Sequence, residues 1–469
     1  MKVLWVCSVL GALQIAGGCS SSESVGIGAA RVAMQYAPAD PFFDIQPVAS
    51  ALPEGSGVEV FVQFLYGGFT FVRAGNDFHG AFEVSVRIHD RETDSLVIER
   101  AWPETLKVGT YRETQTADRL LVEKVLPVRS GSYIVEVVVE DQNSGKSATR
   151  REAVTVPDLN QGEPFVGRPM LYRRDAGGML QPMVLFHVPA FGDTLYTEVG
   201  LFNLPPAATI ATELLVTRFV VDTTEAVLPY YYASASGDFR SRSQYPERVD
   251  TVFRESRRGT IAAGAAGLTL AMPPLNPGLY RVQLALRQID GVQTSRTIGT
   301  GRYFAVVGPS FPQLGTLSEM VRAVRYIAMD SEQDSLASAL TDAELHKRFD
   351  EFWLSRLPDR RLAAETVKRY SGRIEEANRF FSTYKEGWKT DRGMIYTIMG
   401  PPERVEHDAN RETWYYPSTE RSAAKIWQFR GVEFAPENLS ITEYILVRGP
   451  GYARSWMSMI AKWREGKVF

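Results

Sequence analysis

Leu126-Pro-Val-Arg-Ser-Gly131-Ser-Tyr133-Ile-Val135-Glu-Val137 returns, with changes, as Leu275-Asn-Pro-Gly278-Leu-Tyr280-Arg-Val282-Gln-Leu284. In both stretches a Gly-x-Tyr step leads into alternating apolar residues, and an acid, Asp141 or Asp290, follows. Alternation with period two sends one set of side chains into a core and the other into water, which is the signature of an antiparallel strand. The same beat runs through Val58, Val60, Val62 and Phe64, set against Glu59, Phe61 and Gln63. It runs again through Phe82, Val84, Val86 and Ile88, set against Glu83, Ser85 and Arg87. Asn143-Ser144-Gly145 supplies a hairpin turn.

The repeated step is similar to the tyrosine corner of immunoglobulin-like sandwiches, in which the hydroxyl ties back to the backbone. The expected fold is therefore multidomain: two tandem antiparallel β-sandwich (Ig-like) domains at 46–160 and 161–310, then an α+β domain at 311–469. The strands expected in the second block are Val184–Val188, Leu195–Phe202, Glu213–Val221, Leu268–Met272, Leu279–Arg287 and Tyr303–Val307. Between them, Tyr230–Arg258 mixes tyrosines, serines and charges without periodicity and reads as a long loop, an exposed contact surface.

Gly308-Pro309-Ser310-Phe311-Pro312 marks a boundary, after which the period changes. Met320, Val324, Ile327 and Ala328 share a helical face. Thr341-Asp342-Ala343-Glu344 is a capping box ahead of Leu345, Phe349, Phe352 and Trp353, and Pro358 ends that helix. Val367, Tyr370, Ile374, Ala377, Phe381 and Tyr384 form the stripe of a longer helix, with Gly387 as its left-handed closing residue. Met394–Met399, Thr413–Tyr416, Lys425–Phe429 and Ile441–Val447 then read as strands.

Gly387-Trp388-Lys389-Thr390-Asp391-Arg392-Gly393, continuing through Met394–Met399 to Gly400-Pro401-Pro402, resembles the signature of the GWxTD domain family. Phe352-Trp353, Tyr370, Arg373 and Trp414-Tyr415 extend the resemblance over Leu317–Val447. Departures fall on the long helix: Ala364-Glu365 stands where an Asn-Glu pair is common, and Arg369-Tyr370 where a double tyrosine is usual. The resemblance implies a lipoprotein with preceding β domains and no settled biochemical activity. Physically, the motif reads as a corner. Gly387 releases the chain from the helix and Trp388 pins that exit to the sheet. Thr390 and Asp391 accept turn N–H groups, and Arg392 pairs with Asp391 or a helix carboxylate. Gly393 allows close approach before a strand, and Gly400 and Pro402 turn the chain. The competing reading has Trp388, Asp391 and Arg392 lining a groove for a partner's carboxylate or a glycan.

The chain has 469 residues, 44% hydrophobic and 23% charged, with formal net charge −3. That balance leaves no electrostatic footprint for nucleic acid. Its 2 cysteines, Cys7 and Cys19, precede the folded body, so a disulfide framework and a thiolate metal site are excluded there. Lys2, an apolar run from Val3 to Ala16, and Gly17-Gly18 make residues 1–18 a secretory leader. The run is shorter than the roughly 20 residues a spanning helix needs. Ile15-Ala16-Gly17-Gly18-Cys19 resembles a bacterial lipobox, with Ala16 where Leu is favoured. The resemblance implies lipidation of Cys19, and a lone exported thiol would otherwise be a liability. Residues 19–45, opening Ser20-Ser21-Ser22-Glu23-Ser24, read as a flexible tether. No Asp follows Cys19, which resembles outer-membrane sorting. A Ser-rich acidic tether also resembles surface-export signals, so the periplasmic face and the surface both stand open.

None of His79, His89, His187, His346 and His407 has metal-ligand spacing, and His187 reads as a core histidine. No nucleophile elbow, P-loop or dinucleotide fingerprint is present. No catalytic residue, metal or cofactor is therefore expected. A hydrolytic carboxylate pair leaves no spacing signal, and Asp391 with Glu403 or Glu406 would be that pair. The expected function is a membrane-held module that grips an envelope protein partner. A glycan- or peptide-binding module stands second and an envelope hydrolase third.

Overall fold

The computed structural model describes residues 32–34, 41–53, 55–116, 118–160, 163–190, 192–205, 208–230, 246, 248–260, 264–290, 293–357, 359–408, 410–417, 425–434 and 439–468. Cys19, the expected leader and much of the expected tether lie outside the described residues. The chain is rich in antiparallel sheet, with helices gathered towards the C-terminus. No helix among the described residues is long and apolar enough to cross a bilayer.

Val32–Met34 (β1) joins a C-terminal sheet. The first block then holds β2 (Phe43–Leu52), β3 (Gly55–Leu65), β4 (Val72–Ala74), β5 (Asp77–Asp90), β6 (Leu96–Val108), β7 (Arg119–Pro127), β8 (Gly131–Asp141) and β9 (Ser147–Val156). The tether expected over 19–45 is thus corrected, because β1 and the start of β2 fall within it. β2-β3-β7 form one sheet, and β4-β5-β8-β9, with β6 beside β5, form another. Phe43, Val58, Val60 and Val62 meet Val84, Val86, Ile88 and Val137 in a common core. The Asn143-Ser144-Gly145 turn joins β8 to β9: Gly145, at φ +70°, donates to Asp141 O at 2.7 Å.

The second block holds β10 (Phe165–Val166), β11 (Met170–Arg174), β12 (Leu180–Met183), β13 (His187–Pro189), β14 (Leu195–Leu204), β15 (Thr209–Val220), β16 (Arg248–Thr260), β17 (Gly264–Met272), β18 (Gly278–Asp290) and β19 (Gln293–Val307). Two five-stranded sheets share a core that includes Val199, Leu214, Val216, Val282 and Phe304. Both repeated tyrosines turn back as their sequence suggests. Tyr133 Oη donates to Arg129 O at 3.0 Å, and Tyr280 Oη donates to Asn276 O at 2.7 Å.

Two expectations fail in this block. The loop expected over Tyr230–Arg258 gives way at Arg248 to β16, an edge strand paired along β15. An edge strand buries little of either face, so its sequence lacks a hydrophobic beat. Val184–Phe186 is not strand. The N–H groups of Val184 and Leu185 go to Gln63 Oε1, and that of Phe186 to Asp44 Oδ2 at 2.9 Å. These acceptors belong to the first block. The β3 face expected to meet water is therefore covered, with Phe61, Met170 and Val184 forming a small core between the blocks. Gln46 and Gln63 donate across the same seam to Pro169 O and Pro182 O.

The C-terminal part contains α1 (Leu317–Ala323), α2 (Asp330–Ala337), α3 (Asp342–Leu354), α4 (Arg360–Phe381), α5 (Asp391–Met399), β20 (Arg404–Asp408), β21 (Arg411–Tyr416), β22 (Lys425–Phe434), β23 (Leu439–Leu446) and α6 (Tyr452–Arg464). Its sheet runs β1-β23-β22-β21-β20. Thr341 Oγ1 accepts from Glu344 N at the start of α3. The stripe of α4 buries Ala363, Tyr370, Ile374, Ala377 and Phe381, whereas Tyr384 lies beyond the helix and packs on Phe434. The strand expected at Met394–Met399 is the body of α5. Every residue of α5 is buried, and a short helix covered on all sides shows no 3.6-residue beat to separate it from a buried strand.

Candidate functional site

The Gly-Trp-Lys-Thr-Asp stretch lies between α4 and α5, and its backbone is held from both sides. Gly387–Lys389 is one 3-10 turn. Ser382 Oγ accepts from Gly387 N at 2.7 Å and donates to Asn378 O at 2.7 Å. Asn378 Oδ1 accepts from Trp388 N while its Nδ2 donates to Pro312 O. Tyr326 Oη donates to Trp388 O at 2.9 Å, and the two rings meet edge-on. Trp388 therefore pins the turn to the α1–α2 region rather than to the sheet. It also lines a small cleft with Phe311, Leu314, Glu319, Arg322 and Glu386.

Gly387 does not close α4, which ends at Phe381, and it is not among the glycines with positive φ. Its missing Cβ is a packing requirement: a Cβ there would stand 1.9 Å from Ala377 O. A Cβ on Gly393 would stand 1.8 Å from Gly387 O, so the first turn of α5 lies directly on the motif turn. Thr390 caps α5, its Oγ1 accepting from Gly393 N at 3.1 Å and donating to Gly387 O at 2.7 Å.

The motif's charges point inward. Asp391 is 0% exposed. It accepts from Leu446 N at 2.7 Å and from both terminal nitrogens of Arg448, at 2.6 and 3.1 Å. Arg448 also donates to Val227 O, so one guanidinium joins α5 to a segment of the second block. Arg392 pairs with Glu412 at 3.1 Å, not with Asp391, and lies over the Tyr444 and Phe381 rings. Burial lowers the Arg392 pKa against the pull of Glu412. Lys385, buried as well, lies 3.6 Å from Glu443, which accepts from Tyr384 Oη. At the far end of α5, Gly400 has φ +85°, and its carbonyl accepts from Tyr416 Oη at 2.8 Å. Pro402 is half-buried in the turn that follows.

The groove expected from Trp388, Asp391 and Arg392 is thus not a surface feature, since all three are buried. The expected pairing of Asp391 with Glu403 or Glu406 does not form. Asp391 starts the nine-residue helix α5 while the two glutamates follow its far end, roughly 13 Å away along the axis. Glu406 instead pairs with Arg404 and accepts from Tyr415 Oη. The partners that sequence reasoning missed are Asn378, Ser382, Glu412 and Arg448. Each reaches the motif through tertiary packing, which leaves no spacing to read.

The GWxTD domain family matches residues 291–465. The chain carries a GWxTD domain. The match begins just ahead of β19, upstream of the boundary expected at residue 311, so the last strand of the second block falls within it. That strand brings Tyr303 and Ala305 to a cluster with Tyr384, Phe434, Leu439 and Ile441 of the GWxTD sheet side. No curated protein matches the chain. Among solved structures, red sea bream transglutaminase overlaps with 10% identity and a TM-score of 0.17. The overlap covers 56% of this chain and 31% of that one, too slight to bear on fold or chemistry.

Proposed function

We propose that this protein is a lipid-anchored cell-envelope module that works by contact, holding an envelope protein partner. Cys19 is the lipidated residue, and two tandem immunoglobulin-like sandwiches are the arm. The GWxTD domain is the seat at its end, and the outer membrane is the home that the residues around Cys19 favour. The observation that carries the contact reading is the burial of Trp388, Asp391 and Arg392, whose polar groups hold α5, β21, β23 and the second block together. A motif used in this way supplies shape and rigidity to surfaces elsewhere. The repeated tyrosine hydroxyl bonds support the tandem-sandwich assignment.

The test has two arms. Mass spectrometry of the mature amino terminus should find a diacylated or triacylated Cys19, and Cys19→Ala should move the protein into the soluble fraction. Detergent extraction should then recover the wild type with a stoichiometric membrane protein. An unmodified amino terminus on a freely soluble protein would sink the anchoring. A protein recovered alone that turns over a glycan or peptide, and loses turnover on Asp391→Asn with its fold intact, would sink the contact reading.

A further inference from the structure

Beyond the end of β15, residues 221–230 belong to no helix or strand. The GWxTD domain holds this strap by its backbone. Lys385 Nζ donates to Thr224 O at 3.2 Å, and Gly449 N donates to Pro229 O at 3.2 Å. Between them, Arg448 Nε and Nη2 donate to Val227 O at 3.3 and 3.0 Å. Ala226 is 0% exposed and lies in the buried cluster of Tyr326 and Trp388, against which Leu228 and Tyr230 also pack. Glu225 pairs with the exposed Arg325 at 3.2 Å.

Both cations that grip the strap are held in turn by buried acids, Arg448 by Asp391 of the signature and Lys385 by Glu443. Their grips go to main-chain carbonyls, which every peptide presents, so they read an extended path and not a sequence. Selection falls to two side chains. Arg325 calls for an acid, and the closed surroundings of Ala226 admit only a small residue. Arg325, Lys385, Arg448 and Gly449 all lie within the family match at 291–465, whereas the strap lies outside it. The GWxTD domain thus carries a seat whose occupant comes from elsewhere in the chain.

We propose that the GWxTD domain is a receiver for an extended peptide that runs acid, small residue, two further residues, proline, and that Glu225–Pro229 fill it in cis until a partner segment of that chemistry takes their place. This rests on the reading of the protein as a contact module and names the kind of segment its partner offers. A tethered occupant competes at an effective concentration on the order of mM, so the filled seat weakens a second peptide strongly.

Fluorescence anisotropy of a labelled synthetic peptide, Asp222–Tyr230, titrated with the full chain tests this. Ala226→Arg in the chain forces a long cation into a closed site and unseats the strap. That variant should bind the peptide saturably, about tenfold or more tighter than the wild type does. The peptide carrying Ala226→Arg should bind neither chain. Adding Arg325→Glu to the variant should weaken binding, and the peptide carrying Glu225→Arg should restore it. Glu225→Arg in the chain loosens the strap from its exposed side should Ala226→Arg fold poorly. Folded variants that bind no peptide, equal binding by wild type and variants, or loss of the C-terminal fold in both variants would overturn the receiver. That failure, with a stoichiometric membrane partner still recovered, would strike the receiver and leave the contact reading standing.

Discussion

At the GWxTD corner each buried charge meets an opposite one: Asp391 faces Arg448, Arg392 faces Glu412 and Lys385 faces Glu443. At the seam between the β blocks, Glu59 meets Glu123 and Glu198, all of one sign. The corner buries its charges outright and the seam half-buries Glu59, and in each place the arrangement of partners decides the outcome. Paired charges fix a corner that stays put, because either partner alone would be stranded in a low-dielectric interior. Burial and like charges favour the neutral carboxyl, which holds Glu59 well above the ordinary glutamate range, at about 7.

The largest effect should come from breaking a pair. Asp391→Ala strands Arg448 against Val227 O and leaves Leu446 N without its acceptor, a loss of about 3–5 kcal/mol. The midpoint of denaturant unfolding measures it. Glu59→Gln removes one carboxyl group as well, yet at about pH 5.5, well below the value of about 7 to which burial, Glu123 and Glu198 raise it, the residue is already neutral and the midpoint should change by less than about 1 kcal/mol. Equal losses in the two variants would erase the distinction between paired and like charges.

His187 sharpens the comparison from the acid side. It sits on β13 with Nε2 bonded to Thr383 O at 2.7 Å, joining the second block to the GWxTD domain. Burial pulls it down to about 4, against the smaller upward effects of Thr383 O and Glu386. Between pH 4 and 6.5 the folded state binds fewer protons than the unfolded one. This contribution is therefore complete above pH 6.5 and lost as pH falls towards 4, up to about 3 kcal/mol. Glu59, whose pKa is raised instead of lowered, contributes with the opposite sign. Stability profiles of wild type and His187→Phe should diverge in slope across pH 4–6.5, and parallel profiles would remove the histidine from the account.

Gly400→Ala probes geometry without charge at the same corner. Its backbone, at φ +85° and ψ −168°, lies where only glycine rests easily, and a Cβ would come 2.9 Å from the Arg373 guanidinium. A loss of about 2 kcal/mol is expected in the same unfolding measurement.

Much of the β architecture is legible in the chain because one face of β3, β5 and β8 meets a core, and alternation reports it. What alternation cannot report is the fate of the other face. Glu59, Phe61 and Gln63 look solvated in sequence and are covered by a block more than a hundred residues away. Buried-all-round α5 and exposed-all-round β16 fail for mirror-image reasons, since neither has two unlike faces to produce a period. The motif itself is recognisable, but its role is not. Arg448 and Glu412 reach Asp391 and Arg392 from 57 and 20 positions away, and only the packing of α5 against β21 and β23 brings them there.

The smallest predicted effect compares the two β blocks directly. Tyr133→Phe and Tyr280→Phe each delete one hydroxyl that donates to a carbonyl four residues earlier, leaving the ring in place. Removing such a bond costs about 1 kcal/mol. The two should not be equal. Tyr280 is the more buried, at 2% against 6%, and its bond is shorter, at 2.7 Å against 3.0 Å. Asn276 O would then lose a closer, more buried donor than Arg129 O, so Tyr280→Phe should lower the unfolding midpoint more. The sites lie in separate cores with no shared partner, so the double variant should lose the sum of the single losses. A clear shortfall from that sum would mean that the two blocks communicate through the seam, and the repeated corners would then belong to one cooperative unit.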